Sequence, residues 1–378
     1  MLVPKLRFKR EDGTEYPAWE KKEIGNLLSL CHGKDYKHLG NGNIPVMGTG
    51  GIISYVDKAL CDWECVCIGR KGTIDRPYYM NKPFWSVDTL FYSKPKKDNL
   101  PKFQYFLFQN INWQYYNEAS GVPSLSASTI EKIRVNIPCL EEQQKIADFL
   151  TSVDEVIAQS EAEVQNLEQQ KKAAMQKIFS QEVRFKREDG TEYPEWSKMK
   201  LNSILCEYKE TCEKDGTYEH ISLTKEGVVP KSERYERDFL VTDDSKKYRV
   251  THLDDICYNP ANLKFGVICR NKYGDGIFSP IYVTFKVQGD YLPIFVEMIV
   301  TREDFIKYAL RFQQGTVYER MAVSPEDLLS ITVNVPCLEE QQKIADFLSA
   351  YDEAISYAKQ ELEHWKQFKK GMLQQMFV

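Results

Sequence analysis

Few residues in this 378-residue chain have the types and spacing that catalysis requires. The tetrapeptide Asn259-Pro260-Ala261-Asn262 has the outline of an amino-methyltransferase motif but lacks its aromatic residue, so we interpret it as a turn. Gly33-Lys34 is followed by Asp35, which leaves the loop motif that binds nucleotide phosphates incomplete. The sequence therefore predicts a chain with no catalytic site of its own.

The closest group of potential metal ligands is Cys61, Cys65 and Cys67. Structural zinc sites usually combine two spaced pairs of Cys or His ligands, and the remaining cysteines and five histidines supply no second pair at that spacing. We therefore predict no metal site and interpret the ten cysteines as reduced thiols. The sequence has neither the apolar core of a signal peptide nor an apolar run of 18 residues, so we expect a cytoplasmic protein without a membrane partner.

Charge is unevenly distributed along the chain. Hydrophobic residues make up 42% and charged residues 28%, which is typical of a soluble globular protein, and the formal net charge of −5 argues against a nucleic-acid partner. However, residues 25–135 carry 13 basic and 9 acidic groups, while 141–183 and 339–378 have net charges of −5 and −2. The first region can present a basic face to phosphates, whereas 200–332, at −3, would have to sort its charges to opposite sides.

Candidate DNA contacts lie in loops that combine Arg, Lys, Asn or Gln with glycine and aromatic residues. Arg can read guanine and Asn or Gln adenine through paired hydrogen bonds, and glycine lets the backbone approach a phosphate. For any single residue, an ordinary polar loop position is an equally good interpretation. The candidates in residues 25–135 are Lys34, Tyr36, Lys37, Thr49, Gly50, Gly51, Arg70, Lys71, Thr73, Arg76 and Tyr78. Those in residues 200–332 are Tyr258, Asn259, Asn262, Lys264, Arg270, Lys272, Tyr273, Arg311, Gln313, Gln314 and Tyr318.

Two sequence blocks that occur twice frame these loops. RFKREDGTEYPAW at 7–19 returns at 184–196 with twelve identities in thirteen positions, and VNIPCLEEQQKIADFL at 135–150 returns at 333–348 with fifteen in sixteen. The Asp-Gly pairs of the first block predict a hairpin turn, and its alternating charges favour a solvated surface over a nucleic-acid patch. The chain is therefore a tandem duplication in which constant blocks enclose two unlike segments. A recent duplication of loosely constrained domains is the alternative explanation.

A long helix is predicted after each Pro-Cys-Leu-Glu-Glu. Steps of four and three residues give an apolar seam held for more than four heptads, which is typical of a coiled coil. The seam in the first copy contains Ile146, Leu150, Val153, Ile157, Val164, Leu167 and Ile178, and that in the second contains Ile344, Leu348, Tyr351, Ile355, Leu362, Trp365 and Met372. Lys369 is a charged exception in the second seam.

Chain order sets the direction of these helices. The first leads from one variable segment to the other and the second must return, so we expect an antiparallel pair with a pseudo-two-fold axis. The variable segments are predicted to be mixed: strands at 66–74 and 84–93 precede a helix near 101–118, and strands at 220–223, 255–260, 265–270 and 280–287 precede a helix near 291–312. We expect an α+β chain with recognition domains at 1–137 and 184–335 and spacer helices at 138–183 and 336–378.

The repeated P-C-L-E-E-Q-Q-K-I-A-D-F-L motif at 138–150 and 336–348 follows two variable domains. This arrangement resembles the DNA specificity (S) subunit of type I restriction–modification systems, and the R-F-K-R-E-D-G-T-E-Y-P-x-W block is similar to the opening of Gram-positive members. The resemblance covers essentially the whole chain. The net charge of −3 in the second variable segment departs from the basic domain that such a subunit suggests.

The resemblance implies that each variable segment reads one half of a split site in double-stranded DNA. The helices would space the halves and dock two methyltransferase subunits, and two restriction subunits would complete a complex that methylates adenine or cleaves unmodified DNA. S-adenosylmethionine, ATP and Mg²⁺ would belong to those partners, with no cofactor and no catalytic residue in this subunit. Two other hypotheses stay open: a non-catalytic coiled-coil scaffold that joins two protein- or ligand-binding domains, and a nuclease or methyltransferase in its own right.

Overall fold

The computed structural model describes residues 4–213, 216–231, 247–314 and 321–377. The residues group into two compact units: unit 1 comprises Met1–Asn166 and Ile355–Val378, and unit 2 comprises Leu167–Ala354. Each unit contains one variable segment and one portion of each of two long helices, α4 (Leu140–Phe179) and α8 (Leu338–Met376). No helix in the described residues is long and apolar enough to span a membrane.

Unit 1 is built around an antiparallel four-stranded sheet. Its strands are β1 (Glu20–Glu23), β2 (Leu28–His32), β3 (Ile44–Gly48), β4 (Gly51–Val56), β5 (Cys65–Gly69), β6 (Tyr78–Met80), β7 (Trp85–Ser86), β8 (Leu90–Pro95) and β9 (Arg134–Ile137), and its short helices are α1 (Ile24–Leu27), α2 (Pro101–Asn110) and α3 (Ala127–Glu131). The main sheet has the order β2-β8-β5-β6, a smaller sheet the order β4-β3-β7, and β1 pairs with β9.

Unit 2 contains a main sheet with the same strand order as that of unit 1, formed by a different amino-acid sequence. Its strands are β10 (Ser197–Lys200), β11 (Leu205–Tyr208), β12 (Thr211–Cys212), β13 (Ile221–Leu223), β14 (Val228–Pro230), β15 (Tyr248–Thr251), β16 (Ile256–Tyr258), β17 (Ile268–Arg270), β18 (Gly276–Phe278), β19 (Val283–Val287) and β20 (Thr332–Val335), and its short helices are α5 (Pro293–Val300), α6 (Glu303–Ala309) and α7 (Pro325–Ser330). The order β11-β19-β16-β17 matches that of unit 1, whereas the second sheet, β12-β15-β18, does not.

The constant blocks adopt the same local structure in both units. Gly13 and Gly190 have φ values of 83° and 84°, which glycine adopts without strain, so the predicted hairpin turns are confirmed. In each turn the preceding aspartate accepts two hydrogen bonds from a threonine, Thr14 or Thr191. The β1–β9 and β10–β20 pairs share the same register, with Glu20 opposite Ile137 and Ser197 opposite Val335.

The variable segments contain the predicted order of strands and then helices. The two predicted helices are shorter than expected: α2 ends at Asn110, and the backbone of Ile111 is extended. The second is interrupted at Thr301 and Arg302, where Arg302 is extended and α6 begins. Both helices begin with a proline, Pro101 or Pro293, at the first turn, where its missing N–H has no helical partner to lose.

Inside each unit, portions of the two long helices pack together in antiparallel directions. In unit 1, Asp154 pairs with Lys369 at 2.6 Å and Glu161 with Lys366 at 2.7 Å. In unit 2, Lys171 pairs with Asp352 at 2.5 Å. The fourteen predicted seam residues are all buried or partly buried. The expected fold class, a duplicated α+β chain with paired antiparallel helices, is confirmed.

Candidate nucleic-acid interface

A fully buried carboxylate at the start of α4 joins the two constant blocks of unit 1, residues 7–19 and 135–150, which together we call the frame. The frame of unit 2 is formed by residues 184–196 and 333–348. The Arg7 guanidinium donates hydrogen bonds to both carboxylate oxygens of Glu142, at 3.0 and 2.7 Å, and the Trp19 indole donates to Oε2 at 3.0 Å. The hydrogen bonds to Glu142 raise the pKa of Arg7. Because a buried charge is tolerated only when it is paired and hydrogen-bonded, these three residues hold the N-terminal block against the helix. We call them the clamp.

Unit 2 contains the same clamp in its own residues. Arg184 donates to both oxygens of buried Glu340 at 3.3 and 2.8 Å, and Trp196 donates to Oε2 at 3.1 Å. The surrounding contacts also repeat, since Phe185 packs on Phe347 as Phe8 packs on Phe149. The two constant blocks of each repeat are therefore one structural element, although about 120 residues or more separate them along the chain.

A buried glutamine next to the clamp positions the variable domain. In unit 1, Gln143 accepts a hydrogen bond from the backbone N–H of Leu100, the residue before α2, at 3.1 Å and donates to the Pro138 carbonyl at 3.1 Å. In unit 2, Gln341 bonds Leu292 and Pro336 in the same way at 3.0 Å each. The same frame thus holds the helix that follows the main sheet in each domain.

Several candidate residues of unit 1 converge on one surface. The Tyr78 hydroxyl donates to the Thr49 carbonyl at 2.8 Å, and the Arg76 guanidinium lies 5.4 Å from the centre of the Tyr78 ring. A Cβ atom at Gly72 would lie 3.3 Å from Thr49 Oγ1, so the turn that carries Arg70 and Lys71 contacts the β3–β4 hairpin. We call the surface formed by Thr49, Arg70, Lys71, Gly72, Arg76 and Tyr78 the hairpin surface.

The cations of the hairpin surface are available to a partner. Arg70, Lys71 and Arg76 are exposed, and within the described ranges none of them forms a salt bridge with a carboxylate. Arg70 donates to the Asp88 backbone carbonyl at 3.3 Å, and it lines a groove of about 500 Å³ with Lys71, Asp88, Glu118 and Ser126, whose hydroxyl donates to Glu118 at 2.8 Å. The three exposed cations, which form no salt bridge among the described residues, are suited to phosphate and base contacts. Of the other unit 1 candidates, Lys34, Lys37, Gly50 and Thr73 are exposed, and Tyr36 and Gly51 are half-buried.

The candidate residues of unit 2 are more strongly engaged inside the domain. Arg270 is largely buried and binds Asp254 and, at 3.2 Å, Glu297. Lys272 binds the same Glu297 at 3.1 Å, and the Tyr273 hydroxyl donates to Glu219. Asn262, Lys264, Arg311 and Gln314 are exposed, and Gln313 is half-buried. Tyr318 lies outside the described residues.

Two candidates of unit 2 are incompatible with DNA contact in this structure. The Tyr258 side chain has no exposed surface, stacks on Phe285 with ring centres 5.7 Å apart and donates to the Val323 carbonyl at 3.1 Å. Asn259 is 5% exposed and accepts a hydrogen bond from the Ala261 N–H at 3.1 Å. Tyr258 is the last residue of the central strand β16 and belongs to the core, and Asn259 begins the turn that follows this strand. The predicted DNA contacts of Tyr258 and Asn259 are therefore corrected.

Sequence reasoning missed two sets of residues that the structure brings forward. The clamp residues belong to two blocks that recur together in the sequence, but this recurrence does not identify which residues of the two blocks touch. The second set is the exposed apolar side chains of β4, Ile52, Ile53 and Tyr55. A strand pattern predicts that such residues are buried, so only the edge position of β4 identifies them.

The cysteine group of unit 1 is part of its core. Cys61 and Cys65 are buried with their sulfurs 3.9 Å apart, among Phe84, Tyr92 and other apolar residues. Contact with Cys65 and burial raise the pKa of Cys61. No set of three or more His, Cys, Asp or Glu residues suited to a metal ion occurs in the part of the chain that is described.

Comparison with known proteins identifies a family whose sequence model matches this chain. Residues 17–169 and 305–364, more than half of the chain, match the type I restriction modification DNA specificity domain. The chain therefore belongs to the family of type I restriction–modification DNA specificity proteins, as the repeated motif led us to expect.

Curated relatives match most of the chain. The type I restriction enzyme MjaVIII specificity subunit of Methanocaldococcus jannaschii is 25% identical, over 97% of this chain and 94% of the relative. A putative MjaX specificity subunit of the same organism is 24% identical, over 78% and 72%.

Solved structures share the fold at low identity. The S subunit of a type I restriction-modification system from M. genitalium superposes with a TM-score of 0.65 and 13% identity, covering 100% of this chain and 99% of the other. A chain from a study of assembly and conformational transition of the type I R-M system gives a TM-score of 0.56 at 10% identity, over 95% and 97%.

Proposed function

We propose that this chain is the non-catalytic subunit that reads a bipartite site in double-stranded DNA, one half-site per recognition domain. Each copy of the constant frame docks one methyltransferase subunit, and two restriction subunits join the full complex. S-adenosylmethionine, ATP and Mg²⁺ are held by those partners in the cytoplasm. Adenine is the methylated base in each half-site.

One observation carries the proposal: the frames of the two units agree contact by contact, while their loops and second sheets differ. A repeated frame suits two copies of one partner, as a pseudo-symmetric assembly requires. Different loops on the same main sheet suit two different DNA sequences, since base contacts come from individual side chains. The half-sites are therefore unlike each other and separated by bases that are not read.

The charge distribution favours DNA binding by the assembled complex over binding by the isolated chain. The two helix stretches, 141–183 and 339–378, are acidic, so the basic surface of unit 1 has to act against a chain of net charge −5. Phosphate contacts dominate the affinity of DNA-binding proteins and weaken with added salt. We therefore expect weak, salt-sensitive binding by the chain alone and tight binding once methyltransferase subunits add their own cations.

Methylation mapping tests this function directly. Cells that express the chain with its methyltransferase should carry a split motif with one methylated adenine in each half and an unread spacer. A continuous motif, or no methylation that depends on this chain, would contradict the proposal. A matched strain that expresses the methyltransferase alone is the control.

The internal pairing of Arg270 and Lys272 favours a second candidate, a scaffold whose unit 2 binds a protein or small ligand. Salt dependence separates the two functions. If unit 2 reads DNA, binding to the second half-site is sequence-specific and weakens steeply as the salt concentration rises. If unit 2 is a scaffold, the second half-site binds no more tightly than random DNA. Competition binding with duplexes that lack only the second half-site makes this distinction.

A further inference from the structure

Strand β4 of unit 1 exposes three large apolar side chains within four residues. Ile52, Ile53 and Tyr55 are 54%, 53% and 52% exposed, and β4 is an edge strand of its sheet. Exposed apolar groups on an open edge promote aggregation, so folded proteins usually cover or charge such an edge. A cluster of this kind marks a surface that another molecule covers.

The shape of this edge is a narrow ribbon. β3 and β4 pair from Ile44 opposite Val56 to Gly48 opposite Gly51, with a two-residue turn of Thr49 and Gly50. The register shifts between Val46 and Met47, so Ile53 bulges from β4 with no residue of β3 opposite it. The neighbouring strand β7 pairs only with Val46 and Met47, so the tip has two strands alone. A Cβ atom at Gly50 or Gly51 would meet nothing within 4 Å. The major groove of DNA has the width to admit a two-stranded β-ribbon.

The charges around the ribbon select the partner. The tip contacts Tyr78 and the turn that carries Arg70, Lys71 and Gly72, and Arg76 lies over Tyr78. The exposed apolar side chains lie beside cations that form no salt bridge among the described residues. Such a surface suits a partner that has an anionic backbone and apolar groups inside a groove. The thymine C5-methyl group is the apolar group that the major groove of DNA displays.

We propose that the β3–β4 ribbon enters the major groove of the first half-site and that Ile52 and Ile53 read a thymine methyl group there. This inference rests on the proposed function and adds base-reading residues that carry no polar atoms. Arg70, Lys71 and Arg76 hold the flanking phosphates and bases. Every methylated adenine is paired with a thymine, so the half-site contains at least one base of this kind.

The test uses the chain assembled with its methyltransferase and a duplex of the mapped site. Each thymine of the first half-site is replaced in turn by deoxyuridine, which removes only the methyl group. The wild-type complex should lose about fourfold in affinity at one position, the value of one buried methyl group. The I52S/I53S variant should bind the thymine duplex about tenfold more weakly and show no further loss with deoxyuridine. Ile281→Ser, which changes an isoleucine of unit 2 that is 55% exposed, should behave as wild type.

Three outcomes would overturn the inference. Wild-type affinity that is insensitive to every deoxyuridine substitution removes the methyl contact. An I52S/I53S complex that has lost its methyltransferase, as measured by mass photometry, assigns the ribbon to a protein interface. If the I52S/I53S variant loses the same affinity for specific and random DNA, the ribbon contacts the DNA backbone and not the bases. Failure of the proposed function differs from all three, because the wild-type complex would then show no site-specific binding at all.

Discussion

Unit 1 and unit 2 hold their main sheets in the same strand order with almost no sequence in common between those sheets, whereas their frames are nearly identical in sequence. The clamp and its neighbouring glutamine bond the same partners at distances that agree to within a few tenths of an ångström. The loops differ in their chemistry: the cations of the hairpin surface are unpaired within the described residues, whereas Arg270 and Lys272 of unit 2 are bound to carboxylates. The comparison shows that different amino-acid sequences can form the same main sheet, whereas the contacts of the frame depend on particular residues.

The largest expected effect lies in the clamp. Arg7→Ala leaves the Glu142 carboxylate buried without its cation, which costs about 3–5 kcal/mol. Hydrogen exchange followed by mass spectrometry should show faster opening of unit 1 alone, and Arg184→Ala should do the same for unit 2 alone. Arg10→Ala is the control, since Arg10 pairs with exposed Glu141 at 3.5 Å and such pairs contribute under about 1 kcal/mol. Equal, small effects of all three variants would show that the clamp is not the fixed part of the frame.

The next effect distinguishes Arg76, which we propose contacts DNA, from Arg270, which is paired with carboxylates inside its domain. Arg76→Ala should weaken binding to the first half-site by about 1–3 kcal/mol, the value of one specific base contact, with no change in the melting temperature of the chain. Arg270→Ala should instead lower the melting temperature, because it exposes Asp254 and Glu297 to each other without their shared cation. Fluorescence anisotropy and thermal unfolding on the same samples check both. A loss of second-half-site binding by the Arg76 variant would reverse the assignment of the domains.

A smaller effect concerns the polar positions of the helix seam. Lys369, a charged exception in the apolar pattern, binds Asp154 and lies 5.5 Å from the centre of the Phe106 ring. Lys369→Met should cost unit 1 about 1 kcal/mol at low salt and less at 1 M salt. Lys171→Met, which removes the corresponding pair with Asp352, should act in the same way on unit 2. Denaturant titrations at two salt concentrations measure both values, and an increase in stability for either variant would contradict the pairing.

The smallest effect is a pH dependence confined to unit 2. Burial lowers the pKa of His252, but hydrogen bonds with Asp275 and Glu210 outweigh it and raise the pKa above 6.5. A raised folded-state pKa stabilises the fold below the unfolded pKa, and this contribution is lost as the pH rises through the folded value. The free energy of unfolding of unit 2 should therefore fall by under about 1 kcal/mol as the pH rises from below 6.5 through the folded-state pKa of His252. His252→Gln should remove that pH dependence, and a slope that survives the change would assign it to other groups.

The repeats, the long helices and the two central strands of each main sheet could be predicted from the sequence because each leaves a periodic or duplicated pattern, whereas most of the other described strands do not. The clamp could not, since a buried Glu142 looks like any first-turn glutamate of a helix until its partner Arg7 is placed beside it. Tyr258 was misassigned because a polar residue at the end of a strand resembles a loop residue when the neighbouring strand is unknown. Ile52 and Ile53 were overlooked for the opposite reason: an apolar strand residue is expected to be buried, and edge position depends on pairing far along the chain.

Exchange of the variable segments gives the most direct test of the central claim. A chain in which residues 20–134 are replaced by a second copy of residues 197–332 keeps both constant frames and carries two copies of one reader. Methylation mapping in cells with the cognate methyltransferase should then yield a symmetric motif in which the second half-site occurs on both sides. A motif that still contains the original first half-site would contradict the account.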